Sequence, residues 1–263
     1  TLAHESDGEV YFRGTGSEAF IYGLKDGPVY GIDHIHFAMP DRDATDALHQ
    51  FLVAQGEAVL GAPAEFEDFI GGYGFEMLDP DNRRLRFRAG GIKQEPLDQF
   101  AKPRKVSHVV LNSGDMEGVA DWYCKTLGFR VSDYSADQMI FLRCASDHHS
   151  IALVRGHYPS VNHVAFELPS INEFMRSIGR MKQVGVVPTW GPGRHGPGDN
   201  PFAYYVSPSG FVIEFTAEIQ QIDEATHEAQ VWPRDVPEAM DRWMTAGPPT
   251  AAQRAVMQGR PDP

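Results

Sequence analysis

The feature that most restricts how this chain can fold is an internal repeat. His34 recurs as His163, 129 positions later, and Gly56 recurs as Gly185 at the same separation. The same separation takes Pro40 onto Pro169 and Leu24 onto Leu153. Self-similarity at a fixed period marks repeated structural units, so an internal duplication is the simplest explanation. With 263 residues there is room for two ordinary domains, and we predict two similar halves.

Hydrophobic periodicity places the same elements in each half: a strand, a helix and then further strands. GIDHIHFAMP, KVSHVVLNS and SVNHVAFELP have the β-branched content of strands, and a helical pattern follows each of them. For the first helix we predict Asp41 as N-cap and Gly56 as the C-terminal stop, and for the last a capping box of Ser170 and Glu173. The apolar stripe predicted for the first helix is Ala44, Ala47, Leu48 and Phe51.

The repeat predicts an α+β fold with two similar domains, each built of paired βαβββ modules. The predicted limits are 1–100 for the N-terminal domain (a partial module at 1–28 and a full one at 29–90), 101–218 for the C-terminal domain (modules at 104–156 and 160–218), and 219–263 for a tail. Residues 1–24 should form two short strands around a polar turn. The third module starts near Arg104, which corresponds to about position −25. We therefore expect the first module to lack its first strand and helix, and Thr1 to be an internal start.

Composition excludes several classes of function. The net charge of −13 argues against nucleic acid or an anionic membrane as partner, because both require clustered Lys and Arg. No apolar run approaches the length of a membrane span, and nothing resembles a signal peptide. Cys124 and Cys144 are too few for a disulfide framework and are expected to be free thiols. We predict a cytoplasmic protein that forms a homo-oligomer.

Polar residues interrupt two apolar strands of the C-terminal half. His163 and Glu214 are flanked by Val, Ile and Phe, and burying them is costly unless something satisfies them. A metal ion would do so, with His108 in an equivalent strand as a third ligand. Each residue alone has an ordinary interpretation, as a hydrogen-bonded core histidine or a protective edge charge. Two imidazoles and one carboxylate together leave several metal positions open, as in facial triads. The N-terminal half has Arg86 at the position of Glu214.

This pattern resembles the type I extradiol catechol dioxygenases of the vicinal-oxygen-chelate superfamily, over nearly the whole chain. The resemblance implies that His108, His163 and Glu214 bind the metal. It also implies a catalytic set of His149 in DHHSIAL, His195 in an Arg-His-Gly segment, and Tyr204 ten residues before the glutamate. The N-terminal half has Phe20 at the position of His149. The implied cofactor is Fe(II), with Mn(II) as the alternative, and the implied substrates are a small catechol and O2.

The resemblance also implies a reaction, in which a catechol ring opens beside its diol and takes up both atoms of O2. Metal coordination lowers the pKa of a catechol hydroxyl. His149 is suited to take a proton from the second hydroxyl and return one later. His195 and Tyr204 can donate hydrogen bonds to the bound oxygen and fix its orientation.

Two alternatives stay open from the sequence. One is another metalloenzyme of the same superfamily, of the 4-hydroxyphenylpyruvate dioxygenase or glyoxalase type. The other is a metal-free drug-binding protein of the bleomycin-resistance type. Metal analysis separates the second from the rest.

Three further features lie outside this set of residues. His148 should point to the opposite face of its strand from His149 and is assigned no role. GPGRHGPGDNP is expected to be a mobile loop that positions His195. The tail has one predicted helix around PEAMDRWM, and the sequence leaves open whether it covers the C-terminal domain or helps assembly.

Overall fold

The computed structural model describes residues 1–28 and 30–262. Residue 29, the first of the predicted module at 29–90, and residue 263, the last of the predicted tail, lie outside the described residues. The chain divides into two compact units, one formed by residues 1–96 with Asp262 and the other by Leu97–Pro261. The domain limits predicted at residues 100 and 218 stay predictions.

The first unit contains a three-stranded and a four-stranded sheet. In chain order its elements are β1 (Leu2–Ser6), β2 (Glu9–Phe12), β3 (Tyr22–Lys25), β4 (Ile35–Met39), α1 (Arg42–Gln55), β5 (Ala64–Glu65), β6 (Tyr73–Leu78) and β7 (Arg84–Ala89). The first sheet has the order β1-β2-β3 and the second β4-β7-β6-β5. Residues 1–25 thus form three antiparallel strands, where the sequence predicted two.

Helix α1 begins and ends where predicted, but its buried face was predicted wrongly. The Asp41 carboxylate accepts the backbone N–H of Ala44 at 2.8 Å, and Gly56 ends the helix with a φ of 77°. The buried residues are Thr45 and Leu52, whereas Phe51 is 46% exposed. Thr45 and Leu52 are seven residues apart and therefore lie on the same face of the helix, which is the face that packs. The positions of the apolar side chains in the sequence do not determine which face of α1 is buried.

The second unit contains two full modules followed by the tail. Its elements are β8 (Lys105–Ser113), α2 (Met116–Leu127), β9 (Arg130–Ser135), β10 (Met139–Arg143), β11 (Ile151–Arg155), β12 (Ser160–Leu168), α3 (Ile171–Gln183), β13 (Trp190–Arg194), β14 (Pro201–Val206), β15 (Val212–Ala217), β16 (Gln230–Trp232), α4 (Pro237–Met240) and α5 (Ala251–Gln258). The strands form one sheet in the order β13-β14-β15-β12-β8-β11-β10-β9-β16.

The order of this sheet shows how the two modules join. Each module contributes four strands in the order first, fourth, third, second, with the first and fourth parallel. The first strands of the two modules, β8 and β12, pair antiparallel at the centre of the sheet. The sheet of β4, β7, β6 and β5 in the first unit has the same internal order. The predicted α+β fold of βαβββ modules is confirmed.

Strand register confirms the alignment of the two halves. Arg86 of β7 lies opposite Glu76 of β6, and Glu214 of β15 lies opposite Tyr204 of β14. Both pairs occupy the same place in their modules, so Arg86 stands at the strand position of Glu214. Its guanidinium pairs with the Glu76 carboxylate at 2.7 Å.

The two faces of β14 have different roles. Ala203 and Tyr205 pack in a buried cluster with Phe174 of α3, on the helix side of the sheet. Phe202 and Tyr204 point to the other face and pack with Trp190. Alternation along a strand separates the two sets. The helix side is a closed apolar core, and the opposite side is where the polar residues of the site collect.

The start of α3 has half of the predicted capping box. Ser170 Oγ accepts the backbone N–H of Glu173 at 3.3 Å. The Glu173 carboxylate does not return to the backbone of Ser170, because it accepts the N–H of Ala101 instead. The Glu173 side chain therefore ties the helix to the first residues of the second unit.

Part of the segment predicted as a mobile loop is an edge strand. Trp190–Arg194 forms β13, which pairs antiparallel with β14 and is followed by a short 3-10 turn, Pro197–Asp199. A Cβ on Gly193 would lie 2.5 Å from the ring of Phe202. Glycine therefore lets the strand approach this ring, and the Gly/Pro composition reflects close packing. Within the described residues, no helix has the length and apolar character needed to cross a bilayer.

Candidate metal centre and active-site cavity

Three side chains of metal-ligand type meet on neighbouring strands of the second unit. His108 of β8, His163 of β12 and Glu214 of β15 have donor atoms within 4.8 Å of one another. Glu214 Oε2 lies 3.1 Å from His108 Nε2 and 3.0 Å from His163 Nε2. Their exposed fractions are 2%, 5% and 0% for His108, His163 and Glu214. The structure thus brings together the three residues predicted as ligands.

A buried alanine makes this convergence possible. Ala165 of β12 lies opposite His108 on one neighbouring strand and opposite Glu214 on the other. Strands spaced about 4.8 Å apart put the two outer residues about 10 Å apart at the backbone. Their side chains close this gap, since His108 Nε2 and Glu214 Oε2 are 3.1 Å apart. His163 comes two residues earlier on the same face.

A β-bulge in β12 sets the direction of the second histidine. Val161 lies opposite Leu111 and His163 opposite Val110, so Asn162 is an extra residue in the ladder. Bulges re-aim side chains and are common beside active sites. As a result both Asn162 and His163 line the cavity, and Asn162 Oδ1 lies 2.8 Å from His163 Nδ1.

The hydrogen bonds around the two imidazoles leave the correct nitrogens for a metal ion. His163 Nδ1 is taken by Asn162, and His108 Nδ1 lies 3.1 Å from Ser107 Oγ. Each Nε2 is therefore left facing Glu214. His163 Nε2 is buried at 3.0 Å from that carboxylate, in an orientation that forms no hydrogen bond. Ligands about 2.1 Å from an ion and at right angles lie about 3 Å apart. The donor set fits a divalent metal ion.

The protonation states suit metal binding as well. Burial would raise the pKa of the Glu214 carboxyl, but the close imidazoles of His108 and His163 outweigh it and hold the pKa below its usual range. Burial lowers the pKa of His163, so this imidazole is neutral. Metal ions bind carboxylates and neutral imidazoles. Asn200, fully buried, donates to Glu214 Oε1 at 3.4 Å and leaves Oε2 for the cluster.

His149 lies beside the cluster, in a contact network that the sequence did not reveal. Its ring centroid is 4.1 Å from that of His108, and burial places its pKa well below the ordinary value.

The prediction that His148 points to the opposite face of a strand from His149 is wrong. Both histidines lie in the connection between β10 and β11, and their Nδ1 atoms are 2.9 Å apart. His148 Nε2 contacts Asp133 Oδ2 at 3.1 Å.

His195 and Tyr204 form a second pair on the other side of the cluster. His195 Nε2 lies 3.0 Å from the Tyr204 hydroxyl, and its ring stacks on Phe202 with centroids 4.0 Å apart. Burial lowers the pKa of His195 to about 4. Burial and the charge of Glu214 raise the pKa of Tyr204 well above its usual value. His195 is thus a neutral imidazole, and Tyr204 keeps its hydroxyl proton.

One cavity joins all of these groups. The three clustered donors line it together with His149, His195 and Tyr204. Apolar side chains complete the wall, namely Val110, Met139, Phe141, Val154 and Met257. The structure therefore brings together every residue that the sequence singled out for the site, and their roles stay predictions.

The tail supplies a wall that the sequence did not predict. Besides the predicted helix, here α4, it contains β16, which extends the sheet beside β9, and α5. Ala239, Met240 and Gln258 of the tail line the cavity. Asp241 is fully buried, and its carboxylate accepts the N–H of Arg194 in β13 at 3.0 Å. No periodic pattern or motif in the tail signals this contact.

Sequence comparisons agree with the position of the site. Residues 105–215 match the family model described as Glyoxalase/Bleomycin resistance protein/Dioxygenase superfamily, and this range holds all three clustered donors. Metapyrocatechase 2 of Cupriavidus necator is 35% identical over 137 residues, which make up 51% of this chain and 42% of that protein. The match thus spans less than half the length of this relative.

Solved structures resemble the chain over most of its length. The crystal structure of Mn(II)-bound glyoxalase from Novosphingobium aromaticivorans has a TM-score of 0.88 and 35% identity, and the match covers 96% of this chain and 84% of that chain. Homoprotocatechuate 2,3-dioxygenase from Arthrobacter globiformis has a TM-score of 0.85 at 19% identity, with 100% of this chain and 83% of that chain covered. The latter likeness concerns the fold alone.

Paired βαβββ modules around a buried cluster of two histidines and one glutamate define a protein of the vicinal-oxygen-chelate fold. The chain is 35% identical to the glyoxalase structure, and the match covers 84% of that structure, which is enough to show common ancestry. The family model matches the segment that contains the three clustered donors. The chain belongs to the glyoxalase/bleomycin resistance protein/dioxygenase superfamily.

Proposed function

We propose that the protein is an extradiol ring-cleaving dioxygenase. It opens a substituted catechol beside its diol, at an Fe(II) ion held by His108, His163 and Glu214. The observation that carries this proposal is the arrangement of His149 on one side of the cluster and the His195–Tyr204 pair on the other, within one cavity. A protein that only bound a metal ion would not need a neutral imidazole on one side of the ion and a second imidazole with a tyrosine hydroxyl on the other side.

The ligand set matches the chemistry. Three protein ligands on one face leave open positions, and a ferrous ion bound there would supply sites for both catechol oxygens and O2 while lowering the pKa of the bound hydroxyl. Two facts of the chain support a divalent ion: His163 Nε2 has no hydrogen-bond partner, and Glu214 is ionised within the sheet. Mn(II) is the alternative ion, since the same ligands serve both metals.

The chain's own residues perform the proton transfers. Burial keeps His149 neutral, so it can accept the proton of the second catechol hydroxyl and later return it to the opened ring. In the free protein the Tyr204 hydroxyl donates to His195 Nε2 at 3.0 Å, because the single proton of the neutral His195 lies on Nδ1, which faces the Met240 carbonyl. Tyr204 keeps its proton, and when the substrate binds this hydroxyl turns from His195 and donates to the substrate oxygen. The apolar wall excludes water from the ring.

A curated relative, Metapyrocatechase 2, supports this reaction, because a metapyrocatechase is a catechol 2,3-dioxygenase. It is 35% identical over a segment that makes up half of this chain.

Within this proposal the protein is cytoplasmic and self-associates. Cys124 and Cys144 are free, as suits a reducing compartment, and the net charge of −13 does not favour nucleic acid or anionic membranes as partners.

A second candidate function is a glyoxalase-type proton transfer. It is favoured by the Mn(II)-bound glyoxalase structure, which is 35% identical over almost the whole chain. The two reactions differ in their use of oxygen. Ring cleavage consumes one O2 for each catechol, whereas a glyoxalase-type isomerisation proceeds without O2.

The test is an anaerobic purification with metal analysis. The metal-free protein is then loaded with Fe(II) or Mn(II), and oxygen uptake is measured against a panel of substituted catechols. We expect one metal ion per chain, Fe(II)-dependent oxygen uptake and an absorbing ring-opened product. Glu214→Ala serves as a control that should lose both metal and uptake. Metal-loaded protein that cleaves no catechol but isomerises a hemithioacetal under anaerobic conditions would establish the second candidate instead.

A further inference from the structure

We propose that Asp133 and His148 are positioning residues that hold His149 with its Nε2 lone pair directed at the cavity. The inference rests on the proposed function and assigns a role to two residues that no metal ligand touches. The three side chains form a hydrogen-bonded chain that leads away from the metal cluster into the sheet.

The chain is continuous and sealed from solvent. Asp133 Oδ2 lies 3.1 Å from His148 Nε2, and His148 Nδ1 lies 2.9 Å from His149 Nδ1. The exposed fractions of Asp133, His148 and His149 are 3%, 0% and 3%. Water therefore cannot replace these partners, and each hydrogen bond requires one donor and one acceptor.

Asp133 determines the direction of the whole chain. Its carboxylate accepts the backbone N–H of Gln230 at 2.8 Å and the indole N–H of Trp232 at 2.7 Å, both from β16. Burial would raise the pKa of this carboxyl, but the bonds from His148, Gln230 and Trp232 outweigh it and lower the pKa. Asp133 is therefore an ionised acceptor, and His148 must donate to it through Nε2–H.

The tautomer of His149 follows from that of His148. In the proposed chain His148 carries one proton, on Nε2 towards Asp133, so its Nδ1 offers only a lone pair. His149 Nδ1, at 2.9 Å, must then be the donor, because two lone pairs would repel. This geometry places a ring proton of His149 on Nδ1. Its Nε2 is left as a bare acceptor in a side chain that lines the cavity, which is the state a general base requires.

The same chain can share the charge that forms during proton transfer. When His149 Nε2 accepts a hydroxyl proton, the imidazolium holds protons on both nitrogens and the substrate oxygen becomes an anion. The Nδ1 proton can then move towards His148 Nδ1, which leaves His149 neutral and puts the positive charge on His148, next to the Asp133 carboxylate. The proton count is unchanged. The charge ends one residue further from the metal ligands.

Variants that keep, remove or reverse the two hydrogen bonds of His148 test the chain. His148→Gln can reproduce both bonds, with its carbonyl accepting from His149 and its amide donating to Asp133, whereas His148→Phe removes both. Asp133→Asn can donate to His148 and so reverse the direction of the chain. His227→Phe is the matched control, because this ring packs against His148 with centroids 6.5 Å apart but is outside the chain.

We expect His148→Phe and Asp133→Asn to lower kcat about 10²-fold, since a base with its proton on the wrong nitrogen loses most of its effect. KM and metal content should stay within about threefold, because no ligand is touched. His148→Gln should recover activity to within about tenfold of the wild type. His227→Phe should stay near the wild type.

A spectroscopic readout separates positioning from a structural effect. In anaerobic protein, the absorbance of bound 4-nitrocatechol reports whether its second hydroxyl is ionised. We expect full ionisation in the wild type and in His148→Gln, and a larger singly ionised fraction in His148→Phe and Asp133→Asn. An acidic catechol needs less help from a base, so its turnover should fall less than that of catechol itself.

Two results overturn the inference. Wild-type kcat and ligand ionisation in both His148→Phe and Asp133→Asn would show that the chain has no role. Equal losses in His148→Phe and His148→Gln, accompanied by loss of metal, would show that His148 is structural. If the wild type takes up no oxygen with any catechol, the proposed function itself has failed, and the inference fails with it.

Discussion

At the scale of single residues, the site depends on where charge is buried. Glu214 is a fully buried carboxylate in an apolar strand, and a buried charge is costly unless it is paired or bound to metal. Two imidazoles and the Asn200 amide surround it. His149 lies next to this group but bonds elsewhere, so its removal should affect proton transfer without affecting the metal.

The first prediction concerns His149→Phe. The equivalent position of the first unit holds Phe20, so the fold does not need a histidine there. We expect the variant to keep its metal and to bind catechol somewhat less well. Turnover should fall by roughly 10²–10⁴-fold, the usual contribution of a positioned acid–base group. Metal content and single-turnover rate are measured on one preparation. Loss of metal would make His149 a ligand, and near-normal turnover would contradict the proton-transfer role.

At the scale of secondary structure, the site is a product of strand register. The row His108–Ala165–Glu214 crosses three strands, and the bulge at Asn162 turns His163 into the same space. Two neighbouring modules must therefore pair through their first strands before any metal can bind.

The second prediction tests this row with Ala165→Leu. Added carbons at a fully buried position usually cost about 1–3 kcal/mol, and here they would also enter the space between His108 and Glu214. Ala203→Leu is the matched control, since it is equally buried but lies on the α3 side of the sheet. We expect both variants to lose comparable stability in urea titrations and only Ala165→Leu to lose metal. Metal loss in both would mean that general destabilisation is sufficient.

The third prediction concerns the tail, which Asp241 holds against the sheet. Its buried carboxylate accepts four backbone N–H groups, those of Arg194, Trp243, Ala246 and Gly247. Burial would raise the pKa of Asp241, but these bonds outweigh it and lower the pKa. A lowered folded pKa gives stability that is present above the unfolded value, near 3.9, and is lost as the pH falls through the folded value.

We therefore expect Asp241→Asn to weaken tail docking by about 2 kcal/mol at neutral pH, and to remove the acid-induced loss of docking seen in the wild type. Hydrogen exchange of residues 237–250 measures docking, and oxygen uptake with catechol measures its effect on the cavity. Unchanged exchange at pH 7 would show that Asp241 is not the residue that holds the tail.

The sequence predicted those parts of the site that depend on repetition and residue type. The 129-residue repeat aligned Arg86 with Glu214, and strand register confirms that alignment. The bulge at Asn162 and the contact between His148 and Asp133 could not be predicted, because each depends on how distant strands meet. The burial of Thr45 in place of Phe51 has the same cause: tertiary packing, not composition, selects the buried face.

At the scale of the whole molecule, the two units share an architecture but differ in what fills the site position. In the first unit an ion pair of Arg86 and Glu76 stands where the second has Glu214 and Tyr204. Phe20 packs there against the ring of Tyr11, with centroids 5.0 Å apart. Ion pairing and ring packing satisfy this position internally. The second unit instead holds three buried donor side chains of metal-ligand type.

The fourth prediction follows from this difference and concerns metal-linked stability. An ion that binds only the folded state stabilises it by about 2.7 kcal/mol at a hundredfold excess over its Kd. Removing the metal should therefore destabilise the second unit alone. Hydrogen exchange reports on each unit separately, even if the two units unfold together. Amide protection is measured with and without Fe(II) in three strands of the second unit, β8, β12 and β15, and in two strands of the first unit, β4 and β7. We expect exchange in the strands of the second unit to slow about 100-fold when the metal is added, by the same linkage, and exchange in the strands of the first unit to change little. In Glu214→Ala neither set should respond. Equal slowing of both sets would place the stabilisation in the molecule as a whole, and a response that survives Glu214→Ala would place the metal at other ligands.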